Sequence, residues 1–267
     1  MPAARPPLAE VIPMHPVPAP LLVVDPDTGE RWHVPVQPIS RLDADVAERW
    51  FVNVAIPLDL AEAIIATPFL RPDAIAGQAV LSLCRIRMRH GAPDWAPLAL
   101  GPASDNVALR IGCRDRRDGS PAVWVDRRCT THVLGRILPV LGFPPVEPCL
   151  RVRRSDEAGL DLATTDDTLA CAVAPGTAPP PTLFADAVAL TEWVTAGVRS
   201  YAPDGRGGYR VADLEKGSPN AFALRAGWAG WLRTPWGAWP SDGVYRTCDG
   251  VYQWRVLGRV DGHGRPC

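Results

Sequence analysis

Lysine is almost missing from this chain. The 267 residues carry 28 basic side chains, and Lys216 is the single lysine among them. Imine chemistry needs an amine that can lose its proton, which arginine cannot supply, so a Schiff-base route has one residue to run through. No apolar run approaches the ~20 residues of a membrane helix. The opening MPAARPPLAEVIPMHPVPAP has no basic stretch followed by a continuous apolar one, so the expectation is a cytoplasmic protein with no membrane partner. The seven cysteines (Cys84, Cys113, Cys129, Cys149, Cys171, Cys248, Cys267) form no CxxC pair. Their odd count and wide spacing indicate neither a disulfide framework nor a structural zinc site. Cys84, Cys113 and Cys129 read as small buried hydrophobes. A formal net charge of -1 supplies no field to gather a polyanion, so no nucleic-acid partner is expected. Arg85, Arg87 and Arg89 line one side of an alternating segment without interleaved aromatics, and read as a solvated strand face.

The common catalytic signatures are missing too. Gly227-Trp228-Ala229-Gly230 has the wrong spacing for a dinucleotide loop, and Lys216 follows no phosphate loop. No HExxH, EF-hand or GxSxG pattern occurs, and the five histidines lie far apart. Neither a cofactor nor a metal is expected.

What is present is a strand-forming text cut by turns. Thirty prolines and 23 glycines resist long helices. Residues 1–20 read as an irregular proline-rich segment, and 21–267 as a single domain with a tryptophan-rich C-terminal region. Leu21–Val24 and Arg31–Val36 suggest a hairpin. Phe51, Val54 and Ile56 are extended up to Pro57. A short helix capped by Asp59 follows, and Pro68 stops it. In AVLSLCRIRMRH, Cys84, Ile86 and Met88 alternate with the arginines. NVALRIGCR places Val107, Leu109, Ile111 and Cys113 on one side, and Asp118-Gly119 supplies the hairpin turn. The return strand PAVWVDRRCTTHVL puts Val123, Val125, Cys129 and Val133 on one side, with Trp124, Asp126, Arg128, Thr130 and His132 on the other. Gly142-Phe143-Pro144-Pro145 is a rigid turn. CLRVRRS and LDLATTD suggest a further hairpin, with Leu169–Ala174 the next strand. Leu183, Ala187, Leu190, Val194 and Val198 predict a helix of about four turns. Trp228, Trp231, Trp236, Trp239 and Trp254 read as packing anchors of a loop-rich sheet edge, or else as a ligand wall or oligomer surface.

One polar constellation stands out. If the Asp126–Arg128–Thr130–His132 stripe faces a cavity, Arg128 could hold a substrate carboxylate and His132 could move a proton. Asp126, Thr130 and Trp124 would then be substrate-binding neighbours, and Asp105 an acid or base for the same space. If the stripe faces outward, it is merely solvated.

The stretches FVNVAIPLDLAEAI, GQAVLSLCRIRMR, SDNVALRIGCRD, GSPAVWVDRRCTTHVLGRILPVLGFPPVE and LTEWVTAGVRSYAPDGRGGYRVADLEKG resemble the acetoacetate decarboxylase-like superfamily. The resemblance covers roughly residues 45–215 and is closest to a branch grouped as domain of unknown function 2071. It implies a mainly β, α+β fold: an antiparallel β-cone or barrel with short peripheral helices and a ligand cavity. Family members with known chemistry use a lysine of a Gly-x-Pro-Lys-Lys turn. The matching text here is Gly142-Phe143-Pro144-Pro145-Val146, so Pro145 and Val146 stand at the lysine positions and neither can form an imine. The family's pocket glutamate would correspond to Asp105, and its carboxylate-anchoring arginine has no residue-level match.

Three functions follow as expectations. The first is acid–base chemistry of a lyase, hydratase or isomerase type on a small organic acid or carbonyl compound, without a Schiff-base lysine. The second is non-catalytic small-molecule binding or sensing. The third is a structural role in assembly. A homo-oligomer is expected because decarboxylase relatives assemble.

Overall fold

The computed structural model describes residues 21–24, 31–34, 39–65, 67–177, 181–184, 186–216 and 222–267. The segment 1–20, expected to be irregular, lies outside them. Two compact units emerge, residues 1–38 and residues 39–267. In the first, β1 (Leu21–Val24) and β2 (Arg31–Val34) form the expected antiparallel hairpin.

The second unit begins with β3 (Arg41–Ile56), α1 (Leu58–Ile65), β4 (Leu70–Pro72), β5 (Ala74–Ile75), β6 (Gln78–Pro93), β7 (Ser104–Asp115) and β8 (Pro121–Thr130). It continues through β9 (Leu150–Asp156), β10 (Gly159–Thr164), β11 (Ala170–Pro175), α2 (Ala187–Ala196), β12 (Arg199–Pro203) and β13 (Tyr209–Lys216). Then come β14 (Ala223–Leu224), β15 (Trp228–Thr234), β16 (Gly237–Pro240) and β17 (Gly243–Val260). Strands β7, β8, β12, β13, β17, β3 and β6 pair in that order, and β6 pairs back to β7, closing a seven-stranded barrel. Closure removes the unpaired edges of an open sheet. Every pairing in the ring is antiparallel except β8 with β12. A five-stranded sheet, β16-β15-β11-β10-β9, covers part of the outside.

The period-two alternation sorts the two faces of the barrel wall. Trp50, Val52, Val54, Leu81, Leu83, Val107, Leu109 and Ile111 point outward into a core shared with α1 and the five-stranded sheet. At about 1.5–3 kcal/mol per fully buried aliphatic or aromatic side chain, this layer is the main apolar store of the fold. Phe51, Val80, Cys84 and Ile86 point the other way, into the barrel, where Leu190 and Val194 of α2 meet them. A Cβ on Gly112 of β7 would stand 2.1 Å from the Trp193 ring. That missing side chain is what lets α2 sit close against this end of the barrel.

Several expectations change. The helix α2 is shorter than four turns because Asp186 caps it, accepting from the Ala189 N–H at 2.9 Å, and Gly197 ends it. Residue Asp59 lies within the first turn of α1 rather than before it, and accepts from the Leu60 N–H at 2.8 Å. The C-terminal region is not a loop-rich edge: β17 runs 18 residues through the barrel. Its glycines serve irregularities in the ladder, with Gly258 at φ 109 beside the β13 register shift at Val211/Ala212. Arg85 is not a solvated strand residue but 1% exposed. No helix among the described residues is long and apolar enough to cross a membrane.

Candidate functional site

One end of the barrel opens into a cavity of about 340 Å³. Its walls come from inward residues of β6 (Cys84, Ile86, Met88), β7 (Asn106, Ala108) and β8 (Arg128, Thr130), with Trp254 from β17. The segment after β8 roofs it with His132, Ile137, Leu138, Leu141, Phe143 and Val146. This roof is pinned by backbone bonds: Glu147 N–H to Arg128 O at 2.9 Å, Thr130 N–H to Glu147 O at 2.8 Å, and Ile39 N–H to Leu141 O at 2.8 Å. The turn that resembles the family's nucleophile turn therefore does reach the cavity, presenting Phe143 and Val146 and no amine. Lys216 ends β13, and its side chain lies outside the described residues.

The expected stripe is split. In β8, partners of β7 jump from Arg127 (opposite Leu109) to Val125 (opposite Arg110), a β-bulge that leaves Asp126 unpaired. One extra residue reverses the in–out phase of everything beyond it. Arg128, Thr130 and His132 consequently line the cavity, and Trp124 faces outward, packed edge-on against Tyr209 at 5.5 Å. Val123 and Val125 face inward with Ala108 and Ala202. The strand also ends at Thr130; His132 sits in the following bend, its N–H donating to Thr130 Oγ1 at 3.2 Å, and Val133 belongs to a 3-10 turn. Asp126 does not line the cavity. Its carboxyl is pushed above the ordinary range by burial, against the lowering influence of Trp124 and Arg127.

Asp105 does not line the cavity either. It pairs with Arg85, which also pairs with Glu48; Glu48 in turn pairs with Arg246. This ion network lies on the outer wall, where Ser155 of β9 donates to Glu48 at 2.9 Å. The tryptophans divide similarly. Trp228 packs at a tilt against Trp50, ring centroids 5.2 Å apart, within the outer core; Trp236 and Trp239 pack against the same layer, and of the C-terminal tryptophans Trp254 joins the cavity, which Trp95 also lines.

Arg128 is the strongest charge on the cavity wall. Its Nη2 donates to Ser200 Oγ at 3.4 Å, while its Nη1 is buried without a partner. Burial, then the neighbouring Arg110, push the guanidinium down to about 9. Arg110 and Arg49, inward residues of β7 and β3, lie deeper in the barrel and went unnoticed in the sequence. The signal was present: placing Val107, Leu109 and Ile111 on one side puts Asn106, Ala108 and Arg110 on the other.

Among the described residues one group has metal-ligand geometry. Cys129, Glu147 and Cys149 place their ligand atoms within 4.8 Å of one another. Arg127 donates to Glu147 at 2.6 Å and lies 3.8 Å from the Cys149 sulfur. Burial also drives the Cys129 thiol far up, which favours its neutral form. A guanidinium on the carboxylate and a protonated thiol suit a cation poorly.

No family model matches the chain, and no curated protein matches it. Solved structures do. Acetoacetate decarboxylase from Legionella pneumophila aligns with a TM-score of 0.52 at 12% identity, over 87% of this chain and 93% of that one. The enduracididine biosynthesis enzyme MppR, complexed with pyruvate, gives 0.52 at 16% identity over 92% and 98%. The same enzyme with the condensation product of pyruvate and imidazole 4-carboxaldehyde gives 0.52 at 15% over 90% and 96%. The chain thus has the acetoacetate decarboxylase-like fold, an α+β β-barrel with two short peripheral helices. Nothing ties it to the branch of domain of unknown function 2071.

Proposed function

We propose that the barrel cavity takes a small carboxylate- or carbonyl-bearing metabolite and performs acid–base chemistry of a lyase, hydratase or isomerase type without an imine. The observation carrying this reading is Arg128: a guanidinium with a free donor, set in the wall of an otherwise apolar cavity whose roof holds His132. A guanidinium fork binds a carboxylate through paired charge-assisted hydrogen bonds. The apolar walls exclude water and strengthen that pairing. Thr130 offers a hydroxyl beside the bound acid, and His132 moves the proton. The fold it shares with MppR, which is known in complex with pyruvate, supports the substrate class. Asp105, Asp126 and Trp124 take no part in this reading, because none of them reaches the cavity.

Calorimetric titration with a panel of keto and hydroxy acids, paired with proton NMR of the incubated mixtures, tests the proposal. Binding that is lost in Arg128→Met, with product formed by the wild type and not by His132→Gln, is the expected result. Failure of the whole panel to bind removes its basis. A binder without turnover is the second reading, favoured by one fact: among the described residues, no carboxylate side chain lines the cavity. Binding without any product would select it.

The homo-oligomer expectation has apolar surface to draw on both at Trp231, 42% exposed within the tryptophan-rich stretch, and elsewhere. Trp228 is buried in its own chain, whereas Trp95, Leu100, Val133 and Val140 are exposed on the loops around the cavity.

A further inference from the structure

Arg49, Arg110 and Arg128 project into the middle of the barrel, and none of them has a carboxylate partner among the described residues. Arg49 is 1% exposed; its Nε donates to Cys84 Sγ at 3.2 Å, and its Nη1 is buried without a partner. Arg110 donates no hydrogen bond to any described residue, and its Nε is buried. Arg128 makes one long bond, to Ser200. The Arg49 guanidinium lies 4.7 Å from the Phe51 ring centroid and that of Arg110 lies 4.6 Å from it, so the two share a single aromatic ring. Cation–π contact accounts for their placement but not for their charge.

The rest of the chain treats buried arginine differently. Arg85, equally buried, has two carboxylates on it. Removing a guanidinium from water without a counter-charge is strongly unfavourable; Arg110 and Arg128 both carry that condition, whereas Cys84 and Tyr252 outweigh burial at Arg49 and hold its guanidinium up. Burial holds Arg110 down to about 10, with Cys84 opposing that fall and Arg49 adding to it. Asp73 and Glu192 lie around the α2 end of the barrel in a second cavity, one that Arg110 also lines, and neither makes an ion pair with Arg110. A ligand bearing one carboxylate on Arg128 would leave Arg110 uncompensated beside Arg49.

Arg49 and Arg110 do not line the first cavity themselves but adjoin its wall. Cys84 lines the first cavity and accepts from Arg49, and Ala108 lines it two residues before Arg110 on the same strand and face. The other two guanidiniums therefore stand directly behind the wall that a molecule on Arg128 would touch, with Arg110 near enough to act on the Arg128 charge.

We propose that the natural ligand is a compact dicarboxylate, with one carboxylate on Arg128 and the second directed at the Arg110–Arg49 pair. This rests on the carboxylate reading of the cavity given above and narrows it. Cations spread along the barrel fit two separated charges better than one compact oxyanion, and planar forks match carboxylates.

The test is calorimetric titration of the full chain with malonate, succinate and glutarate against propionate, butyrate and pentanoate, with inorganic phosphate as a separate arm. At least one diacid is expected to bind about tenfold or more tighter than its monoacid of equal length. Arg110→Met should erase that ratio and leave monoacid binding within about twofold, while Arg128→Met weakens both classes. Equal binding of diacids and monoacids, still dependent on Arg128, would overturn this inference alone. No binding of either class would overturn the carboxylate reading as well. Phosphate tighter than every diacid would replace the dicarboxylate with a compact oxyanion. If Arg110→Met does not fold, the wild-type ratio decides by itself.

Discussion

Replacing Arg85 by methionine tests how the outer wall of the barrel is held. Arg85 is 1% exposed and pairs with both Glu48 and Asp105, so the substitution leaves Glu48, itself 6% exposed, with Arg246, Ser155 and Trp50, and Asp105 without its arginine. Breaking a buried pair by removing one partner costs about 3–5 kcal/mol. Because Glu48 keeps a second guanidinium, the expected loss is toward the lower end, about 2–4 kcal/mol, or roughly 5–12 °C in Tm for a chain of this size. Urea unfolding at pH 7 reads it directly. Glu48→Gln in the Arg85→Met background should cost less than Glu48→Gln alone, the difference being the pair's coupling energy.

The acid limb adds a signed check. Burial raises the Glu48 carboxyl, but Trp50, Arg85, Ser155 and Arg246 outweigh it and hold it below the usual range. A depressed carboxylate stabilises the fold above its unfolded value of 4.5 and loses that contribution as pH falls through its folded value. The gap between wild type and Arg85→Met should therefore narrow as pH drops below about 4.5. A loss under about 0.5 kcal/mol at pH 7, the size of an ordinary surface substitution, would refute the network and return Arg85 to a solvated face.

Other outcomes follow from the same geometry. Asp115, 4% exposed, is held below the carboxylate range by hydrogen bonds from Arg117 and by Tyr201 across β7 and β12. Asp115→Asn should cost about 1–3 kcal/mol at pH 7, and denaturation curves should converge as pH falls below 3.8. Gly112→Ala would drive a methyl into Trp193, and should lower Tm by several degrees and loosen α2, seen as faster amide exchange across Ala187–Ala196. Among the cysteines, Cys248 and Cys267 are exposed, whereas burial pushes Cys113 up to about 12. Alkylation at pH 8 with mass spectrometry should label the first two and leave Cys113 unlabelled until the protein unfolds.

Much of the architecture was legible because period-two alternation survives in β6 and β7 and because Asp118-Gly119 marks their continuation into β8. The barrel wall, the β9–β10 hairpin and both helices follow from such local signals. What failed was phase. Reading β8 as unbroken placed Trp124 and Asp126 beside Arg128, because nothing in VWVDRR announces a bulge. The same limit hid the Arg85 pairs: a strand with an apolar and an arginine face looks half-wet, and only the sheet beyond the barrel reveals that its arginine side is covered. Arg49 and Arg110 were missed for a third reason. Each sits between apolar neighbours on its own face of a strand that carries other charges, and their common chamber exists only once seven separate segments close into a ring.

The unpaired residue at Asp126 makes β8 two half-strands of opposite parity. Sliding either half by a single position would exchange greasy and charged neighbours along its whole length. Aligning this segment with a strand that lacks the bulge needs a one-residue gap at position 126, and deleting Asp126 should leave Val125 and Arg128 facing the chamber and Trp124 and Arg127 outside it, in one unbroken alternation.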